Sequence, residues 1–85
     1  MKKFSTVKKG SKGTDVYVLQ TMLRALGMLG ADGKPLDIDG SCGNNTVGAI
    51  NKFQTIQRAY GVELGSNGKN DGSCGPKMWN RLLGV

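Results

Sequence analysis

With 85 residues, 38% of them hydrophobic, the chain has room for one small domain whose single core is only marginally self-supporting. The absence of His excludes imidazole acid/base chemistry and Ser-His-Asp or Cys-His nucleophile pairs, and two Cys cannot fill a four-ligand zinc site. The net charge of +6 is concentrated, because Lys2, Lys3, Lys8, Lys9 and Lys12 fall in an opening stretch without acid and the rest is close to neutral.

In chain order, the first element is a basic arm over residues 1–6, expected to be flexible, ahead of one domain over residues 7–85. Such an arm steers toward polyanions (nucleic acid, anionic lipid or anionic wall polymers such as teichoic acids) or is a solvated, frayed end. Met1-Lys2-Lys3 has the charge of a signal-peptide start, but no apolar h-region follows, so no signal peptide is read here. The chain is then either a piece of a longer protein or the product of another export route. No apolar run approaches the length of a membrane span.

Three helices are predicted, punctuated by Gly. The first covers about Asp15 to Leu26, with Val16, Leu19, Leu23 and Leu26 at helical spacing, Thr14 as N-cap and Gly27 as the stop. The second covers about Asn45 to Tyr60, with Val47, Ala49, Ile50, Phe53, Ile56 and Tyr60 on its apolar stripe. The third covers Pro76 to Leu83, with Pro at the first helical position and Met78, Trp79, Leu82 and Leu83 as packing residues. No stretch alternates for long enough to form a sheet, so the fold class is all-α, a small three-helix bundle.

Two loops repeat. LGADGKPLDIDGSCG (29–43) and LGSNGKNDGSCG (64–75) share an LGxxGK opening and an identical DGSCG close, and the second copy is three residues shorter. Each leads from one helix into the next, so the molecule carries a pseudo-symmetric pair of Gly-rich loops. In DGSCG the Asp side chain closes an Asx-type turn and the Gly residues supply positive φ, which gives Asp39 and Asp71 a structural reading first.

Three blocks in order, VKKGSKGTDVYVLQTMLRALG, DGSCGNNTVGAINKFQ and DGSCGPKMWNRLL, resemble the type 1 peptidoglycan-binding domain, a module appended to bacterial cell-wall hydrolases and phage endolysins. The resemblance runs from about Val7 to Leu83. It rests on Gly10, Gly13, Val16, Leu19, Gln20, Leu23, Leu26 and Gly27; on Asp39, Gly40, Gly43, Thr46, Ala49, Ile50, Phe53 and Gln54; and on Asp71, Gly72, Gly75, Trp79 and Leu82. It departs at Met78, where the family pattern carries Thr, in the longer 32–38 segment, and at Cys42 and Cys74. The resemblance implies a three-helix module that attaches non-covalently to peptidoglycan, at a bacterial wall, without catalysis of its own.

Gln20 and Gln54 hold matching places and read either as semi-buried amides tying a loop to a helix or as donors to a wall peptide. Trp79 reads as core, while Tyr17 and Tyr60 read as partly exposed aromatics. The ligand is expected at the first DGSCG loop and the start of the second helix, on Asp39, Ser41, Asn44, Asn45 and Thr46. Asp39 and Thr46 also have a purely structural reading, as turn and cap. Asp37, Asp39, Asn44 and Asn45 suggest calcium, but the EF-hand template requires Gly and Glu where Cys42 and Gly48 stand, so no metal and no cofactor is expected. In a reducing compartment Cys42 and Cys74 are small apolar residues; in an exported small domain, two Cys in equivalent loops read as a disulfide, which is expected here provided the loops are within reach. A monomer is expected. The rival class is a basic helical nucleic-acid binder, against which Lys52 and Arg58 lie on different faces of the second helix.

Overall fold

Three glycines open the three helices. In the computed structural model, which describes residues 4–65 and 68–84, α1 spans Thr14–Ala25, α2 spans Asn44–Ala59 and α3 spans Pro76–Leu83. Their N-caps are Gly13, Gly43 and Gly75, and none makes a side-chain capping bond. The expected cap at Thr14 is therefore corrected. Gly13 takes φ 120° and ψ −165°, a conformation closed to Thr, so the helix starts one residue earlier. Helix α2 is likewise displaced by one residue at each end, while α3 has the predicted bounds. Among the described residues there is no strand, and the fold is all-α.

The core draws on all three helices and on both loops. Val16, Leu19 and Leu23 of α1, Ala49, Ile50 and Phe53 of α2, and Met78 and Trp79 of α3 meet Val7, Leu36, Cys42, Leu64 and Cys74. The predicted stripes run past the core at their C-terminal ends, where Leu26 is 54% and Tyr60 75% exposed.

The N-terminal segment threads between the two repeated loops. Val7 and Cys74 exchange backbone hydrogen bonds of 3.0 and 2.7 Å; Gly10 N–H donates to the Cys42 carbonyl, Cys42 N–H to Ser11, and Gly13 N–H to Gly40. Of the arm expected over residues 1–6, residues 1–3 lie outside the described residues, and Phe4 and Ser5 are docked. Phe4 stacks on Trp79 with ring centroids 4.3 Å apart, the Trp79 Nε1–H donates to the Ser5 carbonyl at 2.9 Å, and Ser5 N–H donates to Asp15 Oδ2 at 2.7 Å.

The expected disulfide is not formed. Cys42 and Cys74 are both free thiols, buried at 2% and 0% exposure in the core. Each is held by backbone pairing to a different part of the Val7–Ser11 segment, and each sulfur fills core space as a small apolar group. Burial pushes the Cys42 thiol up; burial, with Cys42 nearby, pushes Cys74 up to about 12. Thiolate, the species that attacks in disulfide formation, is correspondingly scarce at neutral pH.

Candidate functional site

Both Gln residues are latches. Gln20 Nε2 donates to Asp39 Oδ1 at 3.1 Å, to the Ser41 carbonyl at 3.0 Å and to Thr46 Oγ1 at 3.0 Å, while its Oε1 accepts the Asp39 and Gly40 N–H groups at 3.0 Å. Gln54 repeats the pattern in the second loop, donating to Asp71 Oδ1 at 2.9 Å and the Ser73 carbonyl at 3.0 Å and accepting from Asp71 N–H at 3.2 Å. In each loop the Asp closes an Asx turn two residues on, at 3.0 Å. The tying reading of the two amides is thus the observed one. Met78, where the pattern carries Thr, leaves Gln54 two acceptors for its two amide hydrogens. The Thr46 hydroxyl is a third acceptor for Gln20 and not a helix cap.

A cavity of about 430 Å³ opens between the first loop and the start of α2. Asp39, Ser41, Asn44, Asn45 and Thr46 all line it, joined by Gln20, Gly43, Asp32 and the 34–37 stretch. Their side chains differ in commitment. Thr46 is buried under Gln20. The Asp39 carboxylate is held below its usual range by the Ser41 N–H and then by the Gln20 amide. Asn45 is tied to the loop: its Oδ1 accepts Asp32 N–H at 3.1 Å and its Nδ2 donates to Asp32 Oδ2 at 3.3 Å. Ser41 and Asn44 make no side-chain hydrogen bond among the described residues, so each is a donor at liberty, as is the Lys34 ammonium.

The loop that walls the cavity is fixed by contacts that no motif announces. Arg24 Nη1 donates to the Leu36 carbonyl at 2.9 Å and Lys52 Nζ to the Gly30 carbonyl at 2.8 Å, and Ala31 lies directly on Gly48. Asp32, Asp37 and Asp39 line the cavity with Lys34, so the site is acidic in a basic protein. The two basic residues of α2 that a nucleic-acid reading needs already have partners within the chain, Lys52 with Gly30 and Arg58 with Glu63 through two bonds of 3.0 and 3.1 Å. No group of three or more metal-ligating side chains exists among the described residues.

With this geometry in place, the comparisons are specific. The family model of the peptidoglycan binding domain matches residues 12–63, more than half of the chain, and the chain belongs to that family. Three solved structures share the fold. A Burkholderia AP3 phage endolysin is 35% identical with a TM-score of 0.68, over 92% of this chain and 24% of that one. The SleB N-terminal domain is 26% identical with a TM-score of 0.71, over 96% and 93% of the two chains. A peptidoglycan-binding protein from Clostridioides difficile, solved with glutamine hydroxamate, is 32% identical with a TM-score of 0.68, over 93% and 40%. The chain thus spans about a quarter of the endolysin's length. A search of curated proteins finds no match.

Proposed function

We propose that the chain is a non-catalytic module that binds peptidoglycan through the cavity at the start of α2 and holds a tethered wall hydrolase or endolysin at its polymer. The observation that carries the site is internal. The two loops duplicate the contacts that make the fold, namely the Gln latch, the Asx turn and the buried Cys, and with them the counterparts of Asp39 and Ser41, but not every residue that lines the cavity. Pro35, Leu36 and Asp37 belong to the stretch that lengthens the first copy, and Asn44, Asn45 and Thr46 correspond to Pro76, Lys77 and Met78 in the second. Residues present in only one of two structurally equivalent units are not required by the unit itself.

Ser41 and Asn44 hydrogen-bond polar groups of the wall polymer, and Lys8, Lys9 and Lys12 add attraction to anionic wall polymers that weakens with salt. Place of action is the bacterial wall, and the benefit to an enzyme is a raised local concentration. Sedimentation of the chain with purified walls is expected, with Asn44→Ala reducing the bound fraction and leaving the melting curve in place. Absence of sedimentation, or clearing of walls by this chain alone, would overturn the proposal.

A further inference from the structure

Gly40 is buried at φ +74°, and a Cβ built there would overlap the ring of Tyr17. The Tyr17 ring therefore rests directly on the backbone between Asp39 and Ser41, two residues that line the cavity, while Tyr17 itself stands outside the lining. It remains 47% exposed, and its phenol makes no hydrogen bond among the described residues. The second copy shows what that position needs for folding alone. Gly72, at φ +67°, is covered by Val47 Cγ1 and the Asn51 amide, at 3.0 and 3.7 Å from where a Cβ would stand. Asn51 precedes Gln54 by three residues, as Tyr17 precedes Gln20. An aliphatic group and an amide are thus enough to cover the turn, and the aromatic ring of the first copy exceeds what the fold requires.

We propose that Tyr17 is a glycan-contacting residue: one N-acetylhexosamine ring of the wall polymer stacks on it while its polar substituents reach Ser41 and Asn44. This rests on the peptidoglycan reading above and names the part of the polymer bound. A pyranose ring presents an apolar C–H face as broad as a phenol, edged by hydroxyl and amide groups. A half-exposed aromatic packed on the turn that carries Ser41 offers that flat face next to a polar loop, whereas an extended stem peptide has no comparable flat face. Tyr60 is more exposed, at 75%, but it follows the last residue of α2, about 24 Å along the helix axis from the cavity.

The test compares Tyr17→Phe, which keeps the ring, with Tyr17→Leu, which keeps an apolar cover over Gly40. Purified walls are the probe, with melting curves alongside. Tyr17→Phe is expected to bind within about twofold of the parent chain, and Tyr17→Leu to lose roughly tenfold in affinity at an unchanged melting temperature. Wall binding by folded Tyr17→Leu equal to that of the parent overturns the proposal. Should Tyr17→Leu not fold, NMR on the unaltered chain decides. Chitotetraose, or glycan strands freed of peptide, should shift the Tyr17 ring resonances. A still Tyr17 ring while peptide fragments move the cavity amides overturns the glycan assignment and leaves wall binding standing. Failure to bind walls or any wall fragment removes both.

Discussion

Asp39 illustrates how a residue can line a site and yet serve mainly to build it. Its carboxylate accepts from Ser41 N–H and from Gln20, and both bonds favour the ionised form, which holds its pKa below the ordinary 3.8. A carboxylate whose folded pKa is depressed adds stability that is complete above the unfolded value and is lost as pH falls through the folded one. The melting temperature should therefore be flat down to about pH 5 and decline below it. Asp39→Asn, which keeps an acceptor for both donors, should flatten that decline. It should not abolish it, because Arg58 and Gly65 N–H hold Glu63 in the same direction. An unchanged acid slope in the variant would show that the Asx carboxylate is not the group titrating. At this scale the sequence is informative where chemistry repeats: LQ and FQ, each with a DGSCG partner, single out both Gln residues, and the structure decides between tying and ligand binding in favour of tying. The sequence misleads at Cys42 and Cys74, because equivalent loops suggest a disulfide while the core's demand for small apolar volume has no signature in the sequence.

At the level of elements, the helices were legible to within a residue, since Gly bounds each one and apolar residues recur at helical spacing. The first loop was not. Its shape depends on Asp32 with Asn45, Arg24 with Leu36 and Lys52 with Gly30, pairs 12 to 22 residues apart that carry no motif. The cavity was therefore readable as a list of polar residues but not as a cavity. Gly48 shows how that loop constrains the helix. Helix propensity alone has Gly48→Ala stabilising α2 by about 1 kcal/mol. The added Cβ, however, would stand 2.8 Å from the Ala31 nitrogen and 2.9 Å from its Cα, in backbone that cannot swing aside. Gly48→Ala should instead destabilise the protein by roughly 1–3 kcal/mol in a urea melt and weaken wall sedimentation as the loop is displaced. A gain in stability would mean that the loop yields freely.

On the scale of the whole molecule, the N-terminal segment is the piece that binds the two pseudo-equivalent halves, and nothing in its Lys-rich sequence advertises this. Phe4 and Ser5 continue the same role by covering the only Trp of the chain. Phe4→Ala should lower stability by about 1–2 kcal/mol and shift Trp79 emission to the red as water reaches the indole. Emission unchanged from the parent chain would show that the stack does not persist in solution. The threading also has a consequence for biosynthesis. On a ribosome the segment emerges first, and its pairings with Gly40 and Cys42 become available once the first loop has followed. Its pairings with Cys74 and Trp79, however, require residues made almost at the end of this stretch of chain. Until they appear, Val7 N–H and C=O and the Ser5 carbonyl have no native partner, and the buried face of α2 has no α3 to meet. Contacts of such long sequence separation form late and slowly. The nascent domain therefore waits, half assembled, for its last dozen residues before it can close.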